Sequence, residues 1–363
     1  MNRVIFHIDF DYFFAQCEEI RNPILRGRPV AVCVFSDRGD DSGAIATANY
    51  VAREYGVKSG MPIRFARKRL EAVQEAAFLP VDFEFYTGIS ESAMKIMAKN
   101  ADIFEYVGRD EAYLDVTKKT GGDFGAASHL AQQIKNQIRD EVRLTCSVGV
   151  TPNKLVSKIA SDAKKPDGLT VVEPGRVEAF LEQFAILDIP GIGGMTGKKF
   201  SEMGLESIQD LKRLDIFRLQ QMLGRKSGTY VYNAARGIDE GPVREREPST
   251  QYSRIVTLKQ DSKDGDFLHG PLEKICTQLH LTVLKNGRTF KSVGIQLLQS
   301  DLSSRTKSRA LRNPTNNLEE LKKTAESLLA EALADQQVPV RRLGVKVSDL
   351  AEAGGQSSIT SYF

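Results

Sequence analysis

The sequence predicts a multidomain α+β protein, and three observations carry that prediction. Strand-like and helical runs alternate without a regular βαβ rhythm, which disfavours a doubly wound sheet. Composition shifts near Pro166-Asp167-Gly168, after which helical patterns dominate. The stretch 237–250 (GIDEGPVREREPST) holds two prolines and almost no apolar residues, so it reads as a linker to a second, β-rich unit. At 363 residues the chain has room for about two to four domains of ~100–200 residues each.

Residues 3–9 (RVIFHID) are β-branched and aromatic, and read as a buried strand ending in a carboxylate. A second apolar strand is expected at 29–36 (PVAVCVFS), followed by the turn-rich RGDDSG. From Ile45 to Tyr55 the pattern suits a short helix. Residues 86–100 read as a helix, 102–107 and 111–117 as strands around a tight turn, 124–140 as a helix, 144–150 as a strand and 152–163 as a helix. A Pro-Gly-rich turn at 190–194 (PGIGG) interrupts the helical region that follows. Past the linker, strands are expected at 252–259, 291–299, 303–311 and 340–348, with helices at 266–286 and 315–335. The closing residues (AEAGGQSSITSYF) read as a Gly-Gly-hinged tail. The sequence shows no internal repeat.

Fifty basic and 47 acidic side chains leave a formal net charge of only +3, so any basic surface must be local. Cys17, Cys33, Cys146 and Cys276 are scattered, with no C-x-x-C pair. They suit buried free thiols in a reducing compartment better than a disulfide or zinc framework. The N-terminus lacks a signal-peptide core and no run approaches the ~18 apolar residues of a membrane span. The expectation is a soluble, cytoplasmic protein.

Asp9 closes the first strand, and Asp110-Glu111 sits in the turn before EAYLDVT. Carboxylates at a strand end and in a hairpin turn can converge above one sheet, where oxygen ligands suit magnesium. Paired ions about 4 Å apart can clamp both oxygens of a phosphoryl transfer. Taken alone this signal is weak, because carboxylates in turns are usually solvated. On the expected helix, Thr47, Tyr50 and Arg53 fall at i, i+3 and i+6, a donor stripe suited to phosphates. Phe13 and Phe14 follow one another; from an extended strand they could not both face one core.

Five segments, HIDFDYFFAQCEE, SGAIATANYVAREYGVKSGMP, GRDEAYLDVT, SVGVTPNKLVSKIASDAKKPDG and DIPGIGGMTGKKF, together resemble the Y-family DNA polymerases, most closely the DNA polymerase IV branch. The resemblance runs to about residue 240 and more weakly to about 348. It implies a right-hand polymerase: palm at 1–10 and 79–166, fingers at 11–78, a helical thumb with a helix–hairpin–helix at 167–236, linker at 237–250, an α/β little finger at 251–348 and a flexible tail at 349–363. The implied activity is low-fidelity, translesion, DNA-directed DNA synthesis in DNA repair, without a proofreading nuclease. Two Mg²⁺ ions would be held by Asp9, Asp110, Glu111 and the Phe10 carbonyl. Tyr50 and Arg53 would grip the triphosphate with Lys165 opposite. Phe14 would be the steric gate against a ribose 2′-OH, with Phe13 and Thr47 also at the nucleotide, and Gly43, Ala44 and Ala46 against the nascent base pair. The family usually has a serine and an aliphatic residue where this chain has Gly108-Arg109. Arg109 could lower the carboxylates' pKa or point away.

Gly191 and Gly193 of PGIGG, with Lys198 and Lys199, form a helix–hairpin–helix signature for a DNA backbone phosphate. Arg305, Lys307 and Arg309 alternate along one expected strand and suit a phosphate track, or a solvated sheet face. Gln356, Ile359, Tyr362 and Phe363 resemble the clamp-binding box of partners of PCNA-type sliding clamps, which suggests an archaeal source. The expected partners are primer–template DNA, dNTPs and such a clamp, with the chain a monomer. Two other readings compete: a catalytically dead DNA- and clamp-binding scaffold, which needs a broken metal site, and a helix–hairpin–helix glycosylase or nuclease, which leaves HIDFDYFF unexplained.

Overall fold

The computed structural model describes residues 1–39, 41–245, 247–334 and 337–353. It divides into two compact units, one of residues 1–34 and 44–246, the other of 35–43 and 247–363.

In the first unit the order is β1 (Ile5–Phe10), α1 (Phe13–Arg21), β2 (Val30–Phe35), β3 (Gly43–Ala48), α2 (Tyr50–Glu54), α3 (Ile63–Arg69), β4 (Ala77–Pro80), α4 (Phe83–Lys99), β5 (Ile103–Tyr106), β6 (Glu111–Asp115), α5 (Thr117–Thr120), α6 (Phe124–Val142), β7 (Cys146–Thr151), α7 (Lys154–Asp162) and β8 (Leu169–Val171). The principal sheet runs β5-β6-β1-β7-β8, so the first strand of the sequence becomes its centre. Its Phe6, Ile8 and Phe10 enter a core with Met97 of α4 and Ile134 and Ile138 of α6. The opposite face receives α7, which comes so close at Gly149 that a Cβ there would overlap the Ser157 carbonyl.

A smaller sheet, β3-β2-β4, packs Ala31, Cys33 and Ile45 against Ala52 of α2 and Ile63 and Ala66 of α3. Here the structure corrects the helix expected over Ile45–Tyr55. Residues 43–48 are a strand, and the helix starts at Tyr50 because the Asn49 side chain accepts the Ala52 N–H. Short helices α8 (Val177–Leu181), α9 (Gly194–Ser201), α10 (Ile208–Lys212), α11 (Ile216–Leu223) and α12 (Arg225–Ala234) complete the unit around Leu181, Phe200, Leu211 and Leu219.

The second unit holds β9 (Gln251–Ser262), α13 (Gly265–Lys285), β10 (Arg288–Gln299), β11 (Ser304–Thr315), α14 (Leu318–Leu333), β12 (Val340–Ser348) and the short β13 (Ala351–Glu352). Its sheet, ordered β11-β10-β12-β9, is antiparallel, with both helices packed on the face of Val293, Ile295, Leu343 and Val345. Arg38 of residues 35–43 donates to the Leu258 carbonyl at 2.6 Å and pairs with Asp261. The α+β expectation holds in both units. All four cysteines are free and buried. No helix among the described residues is long and apolar enough to cross a membrane.

Candidate active site

Period-two alternation in β1 creates the site. With Phe6, Ile8 and Phe10 committed to the core, His7 and Asp9 must face α7. Register sets Asp9 opposite Glu111 and His7 opposite Tyr113, and directly opposed residues share a face. The Phe10 N–H donates to the Asp110 carbonyl at 2.8 Å, which fixes the turn carrying the second carboxylate pair to the end of β1. Ligand atoms of His7, Asp9 and Glu111 lie within 4.8 Å of one another. Gly108 leaves room for Asp110: a Cβ there would sit 3.1 Å from the Asp110 Oδ1.

Two lysines and the histidine balance this charge. Lys165 Nζ lies 2.7 Å from Asp9 Oδ1 and 2.8 Å from Asp162, and Lys158 pairs with Glu111. Burial lifts the Asp9 carboxyl to about 6 against the pull of Lys165, and burial also raises Asp110. The His7 hydrogen bond at 3.1 Å, joined by Lys158, holds Glu111 down at about 2. His7 is fully buried, which lowers its own pKa, and its Nδ1 meets the Ser161 hydroxyl at 2.7 Å. Burial works against the charge on Lys165, but Asp9 and Asp162 outweigh it and keep the ammonium protonated.

A buried network holds Asp167, two residues beyond Lys165. Asp11, fully buried, accepts from the Thr145 and Ser147 hydroxyls and from the Asp167 N–H, each at 2.8 Å. Buried Lys135 donates to Asp167 Oδ1 at 2.7 Å. Arg109 points away from the carboxylates: its Nε donates to Thr87 Oγ1 at 3.0 Å and its guanidinium lies over the Phe83 ring.

Thr47 lies in β3, so the helical stripe expected of Thr47, Tyr50 and Arg53 does not form as such; Tyr50 and Arg53 share α2. The Tyr50 hydroxyl is buried with no hydrogen-bond partner among the described residues, a cost unless an acceptor arrives. Arg53 Nε is tied to the Ala48 carbonyl at 2.9 Å and its guanidinium sits over the Tyr50 ring. Phe13 and Phe14 open α1 rather than extend a strand, because Tyr12 adopts a left-handed conformation (φ 36°) that starts the helix. Phe13 is buried; Phe14 is half-buried, stacked on Tyr86 with centroids 4.8 Å apart and edge-on to Phe83.

Gly191 takes φ 86°, open to glycine at no steric cost, and Gly193 caps α9. Lys198 and Lys199 fall in the last turn of α9, and Lys198 makes a loose contact with Glu202 at 3.8 Å. In the second unit, Arg305, Lys307 and Arg309 do alternate on one face of β11, opposite Leu297, Ile295 and Val293. That is the helix-covered side. Lys307 and Arg309 reach Glu331 of α14, so this trio is partly neutralised within its own unit. Gln356, Ile359, Tyr362 and Phe363 lie outside the described residues.

His7, Lys158, Asp11 and Lys135 are site residues that the sequence alone does not single out. Each finds its partner only through the sheet. The available signal was a polar residue inside an apolar strand, at His7.

The family models that match are the impB/mucB/samB family over residues 8–162, its C-terminal domain over 249–360, and the thumb domain of DNA polymerase-iota over 187–239. The chain is 64% identical over 361 residues to DNA polymerase IV of Nitrosopumilus maritimus, covering 99% of each. It is 42% identical to DNA polymerase IV of Methanosarcina acetivorans, over the whole of both. Among solved structures it matches a Y-family DNA polymerase chimera of Dbh and Dpo4 at TM-score 0.89 and 34% identity, covering 96% of this chain and 99% of that one. Fold and site thus define a DNA-directed DNA polymerase. The chain belongs to the Y family of these enzymes, on its DNA polymerase IV branch.

The residues fit a hard divalent cation. Their donors are carboxylate oxygens, and lysine ammonium groups already stand where positive charge is needed.

Proposed function

We propose that the chain adds deoxynucleotides to a primer 3′-OH opposite a template, including damaged templates, releases pyrophosphate, and does so without a proofreading nuclease. The observation that supports this most is the convergence of Asp9 and Glu111 across the β1–β6 register, with Asp110 in the joining turn. Asp9, Asp110, Glu111 and the Phe10 carbonyl would hold two Mg²⁺ ions, which supply Lewis-acid activation of the hydroxyl and charge neutralisation of the leaving group. Tyr50 and Arg53 hold the triphosphate: the phenol gains the acceptor it lacks, and the guanidinium forks two oxygens. Lys165 moves from Asp9 toward phosphate as the nucleotide enters. Phe14 places an aromatic edge under the sugar, and Gly43, Ala44 and Ala46 give the nascent pair room. The domain spans given by the family resemblance, the monomeric state, a phosphate contact at Gly191, Gly193, Lys198 and Lys199, and clamp binding by 356–363 belong to the same reading.

The test is primer extension with Mg²⁺ and four dNTPs, comparing the native chain with Asp110→Ala. Loss of extension by about three orders of magnitude is expected, as for removal of an electrostatic group from a preorganised site. A native chain that binds primer–template but adds nothing would leave the scaffold reading in place.

A further inference from the structure

Packing alone gives no reason for a histidine between Phe6 and Ile8, yet His7 is there, facing α7 and 0% exposed. Burying an imidazole is costly unless its ring nitrogens find partners. Both do. Nε2 lies 3.1 Å from Glu111 Oε2, and Nδ1 lies 2.7 Å from the Ser161 hydroxyl. Tyr113 braces the ring, with centroids 4.7 Å apart and planes tilted by 54°. The Ser161 contact depends on Gly149, which pairs with His7 across β1 and β7. A Cβ on Gly149 would overlap the Ser157 carbonyl and the Ser161 nitrogen, so glycine at that position lets α7 close on the strand.

Chemistry sets the direction of these bonds. An ionised carboxylate only accepts, so the Nε2 proton points at Glu111. In an uncharged ring Nδ1 is then the acceptor and takes the Ser161 proton, from a hydroxyl that also reaches the Lys158 carbonyl at 2.8 Å. Ser161 thereby selects the Nε2–H tautomer. Lys158 bonds the same Glu111 oxygen, Oε2. Among the described residues Oε1 has no hydrogen-bond donor. The two donors differ in freedom: the Lys158 side chain is 29% exposed, whereas His7 is enclosed.

We propose that His7 is a positioning residue: held by Ser161 as the Nε2–H tautomer, it pins Glu111 Oε2 and so presents Oε1 to the divalent cation. It is not itself a ligand, because the nitrogen nearest the site is engaged by the carboxylate. Outer partners of this kind orient metal-binding side chains, and losing one typically lowers metal affinity about 10–100-fold. That Glu111 is a ligand rests on the polymerase reading.

The test uses the full chain. A glutamine amide can stand where Nε2 does, and an asparagine amide where Nδ1 does. His7→Gln therefore keeps the donor to Glu111, His7→Asn keeps only the reach to Ser161, and His7→Leu loses both. Binding of Tb³⁺, a hard oxygen-seeking ion, is read from its tyrosine-sensitised emission without DNA or nucleotide; the Mg²⁺ concentration for half-maximal primer extension is read separately. Both constants are expected to rise about tenfold in His7→Leu and His7→Asn. His7→Gln should restore most of the native affinity, and Ser161→Ala, which releases the tautomer, should fall between. Melting curves check the folds; if His7→Leu is unstable, Gln against Asn decides, since packing or bulk polarity would treat those two alike. Unchanged constants in His7→Leu overturn the proposal, and so do equal losses in His7→Gln and His7→Asn. Asp110→Ala separates this proposal from the reading it rests on. If Asp110→Ala weakens Tb³⁺ binding and the His7 variants do not, the metal site stands and the positioning role fails. If Asp110→Ala binds Tb³⁺ as the native chain does, the metal reading fails and the proposal falls with it.

Discussion

Phe14 is gripped from two sides, stacked on Tyr86 and edge-on to Phe83, so its ring is held in one orientation rather than hinged. A fixed ring can reject a hydroxyl by contact, since no cheap rotation relieves the clash. Phe14→Ala is therefore expected to raise the rNTP/dNTP incorporation ratio about tenfold or more, equivalent to ~1.4 kcal/mol of lost discrimination. Single-nucleotide insertion with each substrate measures it, and an unchanged ratio removes Phe14 from that role. The residue scale also shows where sequence reading stops. Asp9, Asp110 and Glu111 are legible because motif order names them. His7 is not, because its partners Glu111 and Ser161 lie 104 and 154 residues away. The direction of Arg109 is equally closed to sequence, since what decides it is Thr87, a helix turn met only after folding.

At the scale of elements, α7 supplies Lys158, Ser161 and Asp162 to the site, and Asn153 sets its start. The Asn153 side-chain oxygen accepts the Val156 N–H at 3.0 Å, while its amide donates to the buried Gly237 carbonyl at 2.8 Å. Asn153→Ala removes a cap worth ~1 kcal/mol and leaves that carbonyl unpaired, for a total of about 2–3 kcal/mol. Thermal unfolding should show a clear fall in Tm, with Asn153→Asp in between because it keeps the acceptor; an Ala variant that melts with the native chain would refute the cap's importance. Long, strongly patterned elements such as β1, α4, α6 and α13 can be read from sequence. The β3–α2 boundary cannot. Asn49 bonds Val30, Glu19 and Arg28 as well as capping α2, so tertiary contacts place that helix start. Helix α3 is too short to announce itself, since only seven residues carry its pattern.

At the scale of the whole molecule, the order of helical and β-rich regions is visible in the composition. The grouping of residues 35–43 with the C-terminal unit is not, because it depends on Arg38 meeting Asp261 and Leu258. With a net charge of only +3, the proposed function requires that DNA be held by local basic patches, such as the one proposed at Lys198 and Lys199. Holding by patches weakens steeply with salt, because each phosphate contact releases counterions. A tether to a ring around the duplex weakens far less, since it acts by raising the effective concentration of enzyme at the primer end to about millimolar. If residues 356–363 bind a sliding clamp, clamp stimulation of primer extension should therefore grow as salt rises, and deleting 356–363 should remove it at every salt concentration while leaving clamp-free synthesis intact. Extension on circular primed template, with and without a PCNA-type clamp, separates the cases. Stimulation that survives the deletion means the clamp grips another surface, and stimulation that fades with salt means its contact is itself electrostatic rather than the apolar insertion that Ile359, Tyr362 and Phe363 suggest.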